Sequence, residues 1–522
     1  MFERKVSTWP LMVCIAFGLL CCSQGTARDR SNVRIPESHR IVKENKRAGA
    51  QEVEALKRPH VPVESGRTAS TGFVARSKVK DEVEISGDIG GAVVTTSVSG
   101  YASGKDIGPG KTFFADKTVA ADGGKMRMKL TDFPAFLESK EAIEGSISYE
   151  DSPFGISGID GYDPLLRELG IFWVRYMGAA GIVWDAVEPR RGVFHWHRND
   201  IIYAETYNNN VHMVVTILTP NRWDQGMGYG RPRHRFPVHV ESYKEFLRRL
   251  VERYDGDGID DAPGSPVINH WQIENEGDFF WEDTPENYAR LVKISYNVIK
   301  KQNPDAKVLL SGVATPKGFY DFYVPVLKYL KSMRENPTDR SFDIFDFHWV
   351  MGGSGRYKRA PFAGAGTTDL RECIESIRDT LTQYGYRVPI WITETASHSG
   401  MPRRGLRVPF ETERDQAAEL IKRMIYPLSL GVQKVFWSTL VEMHGFGDQT
   451  GTNDYFDLIG LVHNPRNAGL SHKKLAFYAY KKLVDKLQGV EPNRVESLSD
   501  QENNHIYRFS DGNGFVYVLW RF

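Results

Sequence analysis

Two apolar stretches near the middle of the chain each end in glutamate. Residues 270–276 end in Glu276, and residues 389–394 end in Glu394. Both stretches have the pattern of a buried strand whose last residues turn polar. Two neighbouring carboxyl groups do not ionise equally, so one can donate a proton while the other attacks as a nucleophile. Cleavage of a glycosidic bond needs this division of tasks, and the pair predicts that chemistry.

The positions of the two glutamates also predict an architecture. A (β/α)8 barrel keeps its catalytic groups at the C-terminal ends of parallel strands. Between residues 146 and 490, short apolar runs alternate with helical patterns, which is typical of a barrel with long loops. The predicted strands are 154–157, 172–176, 211–218, 268–273, 308–311, 344–349, 389–393 and 434–439.

The predicted fold class is therefore α/β, with a (β/α)8 TIM barrel over residues 146–490. An open doubly wound sheet is the alternative that the same alternation of strands and helices allows. That architecture usually carries a glycine-rich phosphate turn after its first strand, and the sequence shows none there. The barrel is the favoured interpretation.

The segments outside the barrel predict an accessory domain. Residues 71–145 are rich in Gly, Thr, Ser and Val and alternate as strands do, and residues 491–522 have the pattern of a β-hairpin. A lone hairpin is not stable in water. We therefore expect the two segments to form a small β-domain built from N- and C-terminal strands, beside the barrel.

The N-terminal region predicts export. Residues 1–27 resemble a secretory signal peptide, because a basic start is followed by a short apolar run and then by small residues. Residues 28–70 are charged and poor in aromatic side chains, which predicts a flexible linker. The expected location of the mature chain is extracellular or periplasmic.

Charge and motif content narrow the partners. The 522 residues include 67 Lys and Arg against 66 Asp and Glu, so no overall field attracts nucleic acid or a membrane surface. The N-terminal apolar run is too short to span a bilayer comfortably. No metal-ligand spacing such as His-Glu-x-x-His occurs, which predicts neither a catalytic metal nor a cofactor. The expected partner is a carbohydrate.

The two glutamates also carry a resemblance to a known family. Asn275 precedes Glu276, Thr393 precedes Glu394, and the order matches the large clan of retaining glycoside hydrolases built on the (β/α)8 barrel. Residues 184–189, together with a following glycine and tryptophan, are similar to the segment after strand 2 in that clan. Over residues 150–490 the chain most resembles the family 39 group, which includes β-xylosidases and α-L-iduronidases.

The resemblance implies a role for each matched residue. Glu276 would be the general acid/base, Glu394 the nucleophile that forms a glycosyl-enzyme, and Asn275 the group that holds the substrate 2-hydroxyl. Glu274 is a rival for the acid, because residues two apart on a regular strand point the same way. The Asn-Glu pairing favours Glu276.

Three further strand ends supply candidate substrate-binding residues. Arg175 ends strand 2 and is expected to pair with Glu394, and His348 ends strand 6, where it is expected to contact Glu394 or the sugar. Trp437 ends strand 8 and is a candidate stacking surface for a sugar ring, with barrel packing as the equal alternative.

Two charged regions remain open to interpretation. Basic residues cluster in the loops after strands 3, 6 and 7, which predicts an anionic glycan, uronic or sulfated, or else an ordinary solvated surface. Residues 255–261 resemble a calcium loop but lack the distal glutamate, and a turn rich in Asp and Gly is the favoured interpretation. A non-catalytic carbohydrate-binding protein and a transglycosylase remain as alternative functions.

Overall fold

The structure of the protein is a computed structural model. It describes residues 74–79, 82–86, 93–97, 114–118, 125–129, 131, 133–138, 152–228, 230–336, 338–350, 370–403, 408–444, 454–468, 472–487, 490, 495–501, 504–510 and 515–521. The predicted signal peptide (1–27) and linker (28–70) lie outside these residues.

Short antiparallel strands precede the main domain, and parallel strands build it. The first group is β1 (Val74–Val79), β2 (Glu82–Ser86), β3 (Val93–Ser97), β4 (Phe114–Thr118), β5 (Lys125–Lys129) and β6 (Ala135–Glu138). The second group is β7 (Phe154–Ser157), β8 (Trp173–Tyr176), β9 (Ile182–Val183), β10 (His212–Leu218), β11 (His270–Ile273), β12 (Lys307–Leu310), β13 (Phe345–Trp349), β14 (Ile390–Thr395) and β15 (Lys434–Ser438). The C-terminal strands are β16 (Val495–Gln501), β17 (Asn504–Ser510) and β18 (Phe515–Arg521).

Helices connect the parallel strands. They are α1 (Leu165–Leu169), α2 (Trp184–Val187), α3 (His197–Asn208), α4 (Val240–Arg253), α5 (Gly277–Phe280), α6 (Pro285–Gln302), α7 (Pro316–Gly318), α8 (Val324–Ser332), α9 (Leu370–Gln383), α10 (Glu413–Ser429), α11 (Pro465–Ala468) and α12 (Leu475–Leu487). A π-helical turn, Phe319–Tyr323, joins α7 to α8, and Phe456–Leu458 form a 3₁₀ turn. Among the described residues, no helix combines the length and the apolar character needed to cross a bilayer.

The parallel strands close into a barrel. Their order is β12-β11-β10-β8-β7-β15-β14-β13, and all neighbours run parallel. The two ends of this order meet through parallel bridges, Leu309 with Ile344 and Val313 with Phe347. All eight predicted strands are present at the predicted places, so the prediction of a (β/α)8 barrel is confirmed. The open doubly wound sheet is wrong, because closure leaves the barrel no free edge.

The barrel interior is layered because side chains two apart on a strand face the same side. Trp173 on β8, Trp391 on β14 and Phe436 on β15 belong to an apolar cluster that fills one level of the interior. Two residues further along these strands, Arg175 and Thr393 are also completely buried but polar. Polar side chains therefore begin inside the barrel, above an apolar floor, toward the C-terminal strand ends.

The accessory domain joins the two ends of the chain. A six-stranded antiparallel sheet has the order β16-β17-β18-β6-β3-β4, so C-terminal strands pair directly with N-terminal ones through β18 and β6. This confirms the predicted small β-domain. The C-terminal segment contributes three strands rather than a hairpin alone, and β1, β2 and β5 form a separate three-stranded sheet. Phe509 on β17 and Trp520 on β18 bury the inner face of the six-stranded sheet in the main core.

Candidate active site

Arg175 organises the polar layer at the C-terminal ends of the strands. Its guanidinium is completely buried on β8. Nη1 donates to Oε1 of Glu394 on β14 at 2.6 Å, and Nη2 donates to Oδ1 of Asn275 at 2.6 Å. Nε donates to Gln272 at 2.7 Å. A guanidinium presents its donors in a rigid plane, so these bonds fix the Glu394 carboxylate and the Asn275 amide relative to each other.

Glu276 leaves the regular strand before it reaches the site. Strand β11 ends at Ile273, and both Glu274 (φ 65°) and Glu276 (φ 42°) adopt the left-handed conformation that non-glycine residues seldom use. Such strain persists where the surrounding structure enforces it, often at functional sites. The two glutamates therefore do not share one face, as an uninterrupted strand would require.

Glu274 has a different environment from Glu276. Its carboxylate is buried and accepts hydrogen bonds from the backbone N–H and the hydroxyl of Thr219, both at 2.6 Å. Its other oxygen lies 2.6 Å from Nδ1 of His234. Glu276 instead contacts His348 and keeps part of its side chain exposed. Only Glu276 has an oxygen in the same cluster as Glu394.

His348 on β13 lies between the two carboxylates. Its Nδ1 is 2.9 Å from Oε1 of Glu276 and 3.9 Å from Oε1 of Glu394, so its hydrogen-bond partner is Glu276. Its Nε2 is 3.3 Å from Oδ2 of Asp346 and 3.1 Å from the hydroxyl of Thr393. Burial alone would lower the pKa of His348, but the charges of Glu394 and Asp346 outweigh burial and raise it to about 10.

Asp346 interacts with the other ring nitrogen of His348. It is completely buried on β13, two residues before His348. Its carboxylate accepts from the backbone N–H of Thr393 at 3.0 Å, from its hydroxyl at 2.6 Å and from the amide of Gln272 at 2.6 Å. Burial would raise the pKa of Asp346, but the positive charges of His348 and Arg175 outweigh burial and hold it below its usual value. Asp346 and Glu394 are therefore negative charges that balance the buried cations.

The spacing of the two carboxylates defines what the site can do. One oxygen of Glu276, one oxygen of Glu394 and a ring nitrogen of His348 all lie within 4.8 Å of one another. Both residues come from the C-terminal ends of strands on the same face of the barrel. Carboxyl groups this close suit direct attack by one on a carbon whose leaving group the other protonates.

Trp437 lies elsewhere. The ring is completely buried in the main core, and its indole N–H donates to the carbonyl of Ile459 at 3.2 Å. Its neighbour Phe436 faces the barrel interior, so strand alternation turns Trp437 to the other side. This placement corresponds to the packing alternative, since a ring without exposed surface offers no face to a sugar.

The turn over residues 184–189, which follows strand β8, has a structural role in the folded chain. The indole of Trp184 donates to Glu188 at 2.7 Å, and the same carboxylate accepts the backbone N–H of Gly192 at 2.7 Å. Asp185 pairs with Arg222 in the loop after β10 at 2.6 Å, and this pair ties the two loops together.

The acidic loop at 255–261 forms turns. Asp255 accepts the N–H of Asp257 at 3.3 Å, and Asp257 accepts that of Ile259 at 2.8 Å. Asp261 accepts the N–H of Gly258 at 3.0 Å. Asp and Gly serve here as turn residues, which agrees with the favoured interpretation of this segment.

The basic loops are only partly described. After strand 3, Arg231, Arg233 and Arg235 are exposed, whereas His234 between them is buried against Glu274. Arg403 follows strand 7 and lines a pocket. The remaining basic residues of the prediction, which are Arg356, Lys358, Arg359, Arg404 and Arg407, lie outside the described residues.

Three further members of the site were not predicted from the sequence: Gln272, Asp346 and Ser157. All three are completely or almost completely buried, and Ser157 accepts from Arg175 at 3.3 Å. A signal was present for two of them: Gln272 and Asp346 are polar residues within apolar strands, two positions from another inward residue. Buried polar side chains need partners, so such positions indicate a network.

Comparisons with known proteins agree with the architecture. No protein-family model matches the chain, and no curated protein matches its sequence. A solved family 39 glycoside hydrolase from the gut symbiont Bacteroides cellulosilyticus is similar in structure, with a TM-score of 0.55 and 16% identity, over 84% of this chain and 87% of that one. A family 39 enzyme from Xanthomonas axonopodis pv. citri covers 69% of this chain at 16% identity, with a TM-score of 0.46 over 70% of its own length.

The similarity to the Bacteroides enzyme bears on the fold alone. At 16% identity, the Bacteroides enzyme shows that the chain shares the architecture of a glycoside hydrolase rather than any particular substrate. The resemblance to family 39 that the motifs predicted is therefore confirmed at the level of the fold: this chain is a (β/α)8 barrel with an accessory β-sheet, built like a family 39 glycoside hydrolase.

Proposed function

We propose that the protein is a glycoside hydrolase that cleaves O-glycosidic bonds of an oligosaccharide or polysaccharide with net retention of configuration. One observation carries the proposal: oxygens of Glu276 and Glu394 lie within 4.8 Å of each other at the C-terminal face of the barrel. Retaining enzymes hold their two carboxyl groups about 5–5.5 Å apart, whereas inverting enzymes leave about 6.5–9.5 Å for a water molecule. The similarity in fold to a family 39 enzyme supports the same class.

The roles follow from the contacts of each carboxylate. Oε1 of Glu394 accepts from Arg175 at 2.6 Å, which places a positive charge against the carboxylate. We assign nucleophilic attack on the anomeric carbon to Glu394, through Oε2, forming the glycosyl-enzyme as the C–O bond to the leaving group breaks. Glu276 donates a proton to the departing oxygen. A water molecule then attacks the anomeric carbon, Glu276 takes up its proton, and Glu394 is released.

His348 holds the carboxyl group of Glu276 in position. The charges of Glu394 and Asp346 raise the pKa of His348 to about 10, so its imidazole is protonated at neutral pH, and Nδ1 donates a hydrogen bond to Oε1 of Glu276 at 2.9 Å. Asp346 and Glu394 balance the charge of the imidazolium.

Product stereochemistry tests the proposal. Proton NMR of the first-formed sugar, recorded on a hit from a panel of chromogenic glycosides, is expected to show the anomer of the substrate before mutarotation. Early appearance of the opposite anomer would remove the retaining mechanism. Complete inactivity on the panel and on polysaccharides, with binding retained, would favour the non-catalytic carbohydrate-binding alternative. Product elongation with an added acceptor sugar would identify a transglycosylase.

An anionic glycan is the finer proposal for the substrate. The exposed guanidinium of Arg233 and those of its neighbours Arg231 and Arg235 flank His234, which is bonded to Glu274, two residues from Glu276. Exposed charges are screened over about 8 Å at physiological ionic strength. Activity on a uronic or sulfated polymer is therefore expected to fall with added salt more than activity on a neutral aryl glycoside. Equal salt dependence would assign the arginines to an ordinary surface.

The proposal that the protein is exported rests on residues 1–27 alone. The basic start, apolar run and small residues of this segment support cleavage near Ala27 and secretion. N-terminal sequencing of the protein recovered from the medium or periplasm tests this, and recovery of the uncleaved chain in the cytosol would reject it.

A further inference from the structure

A second cluster of chemically active side chains lies outside the proposed active site. It contains Glu413, the first residue of helix α10, and two histidines, His463 and His472. Both histidines lie in the long connection after β15, which is strand 8 of the barrel. One carboxylate oxygen and one nitrogen from each ring lie within 4.8 Å of one another. Glu413 is buried, and both histidines are largely buried. None of these residues takes part in the proposed hydrolysis.

The distances within the cluster fit a common metal ion. Oε1 of Glu413 is 3.0 Å from Nε2 of His463 and 3.8 Å from Nε2 of His472. Zinc binds nitrogen and carboxylate oxygen at about 2.0–2.2 Å with tetrahedral angles, which places two ligand atoms about 3.4 Å apart. The two measured separations bracket that value. The ligand set of two imidazoles and one carboxylate suits ions of the zinc class rather than calcium or magnesium.

The outer partners of the cluster are those that a metal site uses. Nδ1 of His463 lies 3.2 Å from Oε2 of Glu442, which leaves Nε2 directed at Glu413. A histidine ligand commonly gives its second nitrogen to a carboxylate, which fixes the ring and its tautomer. Glu442 is itself held by the buried Lys474 at 2.5 Å. Glu442 therefore contacts one nitrogen of His463, while the other nitrogen, Nε2, is directed toward Glu413.

The backbone holds the two histidines together without any ion. Val462 pairs with Lys473 in an antiparallel bridge, and the N–H of His463 donates to the carbonyl of His472 at 2.9 Å. Residues that face each other across such a pair have neighbouring side chains. Glu413 is fixed independently, because its other oxygen accepts the N–H of Leu475 at 3.0 Å. A preformed arrangement lowers the ordering that a bound ion must impose.

One member of the cluster borders a cavity. His463 and Glu442 line a pocket of about 320 Å³, together with Ser399, Met401, Arg403 and Asn467. Three protein ligands would leave a tetrahedral zinc ion one further position for a water molecule.

We propose that Glu413, His463 and His472 form a binding site for one divalent transition-metal ion of the zinc class, held by two imidazole nitrogens and one carboxylate oxygen. The ion clamps the connection after strand 8 onto the start of helix α10, at the C-terminal side of the barrel. No metal site was predicted from the sequence, because only ligands closely spaced within one motif were considered. The three ligands proposed here are up to 59 residues apart (472 − 413 = 59).

Metal titration of the untagged full-length chain tests the site directly. After dialysis against a chelator, Zn²⁺ is expected to bind with a stoichiometry of one by calorimetry. Co²⁺ is expected to produce the visible absorption of a tetrahedral centre. Zn²⁺ is also expected to raise the melting temperature, since ligands that bind only the folded state stabilise it. These readouts do not depend on catalytic activity.

Two variants separate the site from incidental binding. His472→Ala, which removes the most exposed ligand, is expected to lower Zn²⁺ affinity at least about 100-fold and to abolish the Co²⁺ spectrum, while circular dichroism confirms the fold. His195→Ala removes an exposed histidine outside the cluster and is expected to bind as wild type does. Absence of a one-to-one complex, or unchanged affinity in His472→Ala, would overturn the proposal. The cluster would then be an ion-pair network only.

Discussion

Two histidines in this molecule occupy similar positions between carboxylates, in two different regions. His348 lies between Asp346 and Glu276 at the strand ends of the barrel, and His463 lies between Glu442 and Glu413 in the connection after strand 8. In both, burial opposes the charged imidazole, but hydrogen bonds and charges from the carboxylates prevail and raise the pKa. A proton on the imidazole is therefore favoured in both regions, and a metal ion at His463 would have to displace that proton.

The cations nearby distinguish the two regions. In the barrel, Arg175 is bonded to Glu394, one of the carboxylates that would have to bind a metal ion, so a second cation there meets repulsion. In the connection after strand 8, Lys474 pairs with the outer carboxylate, Glu442, and leaves Glu413 facing the two histidines. The two regions therefore differ in the carboxylate that the basic residue pairs with. Arg175 pairs with Glu394 of the proposed active site, whereas Lys474 pairs with Glu442, outside the proposed metal ligands.

The largest effect is expected from the carboxylates of the barrel. Glu394→Ala and Glu276→Ala should each lower kcat/KM at least about a thousandfold, since general acid–base or nucleophilic catalysis contributes this much. Glu286→Gln, on the exposed face of helix α6, serves as the control and should retain full activity. With azide, Glu276→Ala should release a glycosyl azide of retained configuration and Glu394→Ala an inverted one. Exchanged configurations would mean that the two roles are reversed.

The next largest effect concerns the lysine of the second region. Lys474→Met should destabilise the protein by about 3–5 kcal/mol, because the buried carboxylate of Glu442 loses its partner. Chemical denaturation in the absence of metal measures this change. The double variant Lys474→Met/Glu442→Gln should recover much of the loss, as the orphaned charge is removed. A single variant as stable as wild type would show that solvent already reaches this pair.

A smaller effect tests how strictly the barrel positions its histidine. A Cβ at Gly312 would overlap the imidazole of His348, so Gly312→Ala should displace the ring without removing any catalytic group. A misplacement of about 1 Å costs about a hundredfold in rate. Gly228→Ala is the matched control, because nothing lies within 4 Å of its added methyl group. Unchanged kcat in Gly312→Ala would remove His348 from the mechanism.

A last prediction concerns the pH dependence of stability. Folding raises the pKa of His348 from 6.5 to about 10. A raised pKa contributes stability that is fully present below pH 6.5 and is lost as the pH rises to about 10. The free energy of unfolding of wild type should therefore fall more steeply over this interval than that of His348→Gln, as measured by urea denaturation. Parallel curves would show that His348 is not protonated in the folded state.

Local sequence patterns were sufficient for the barrel and for its two carboxylates. Each strand is an apolar run bounded by polar residues, and the positions of Glu276 and Glu394 at strand ends follow from the runs themselves. The Asn-Glu pairing favoured Glu276 over Glu274 as the acid, whereas the different environments of the two side chains depend on tertiary structure. They rest on two left-handed residues after Ile273, whose strain only the surrounding contacts maintain.

Tertiary structure also decided which residues come together from distant parts of the chain. Trp437 ends a strand, which left sugar stacking and barrel packing as equal alternatives, and the orientation of its ring depends on which side of the closed barrel it faces. The network of Arg175, Gln272 and Asp346 spans three strands. Glu413, His463 and His472 meet only because helix α10 and the connection after strand 8 pack together. Periodicity along a chain reports which residues are buried, whereas the partners of a buried polar group are set by closure and packing.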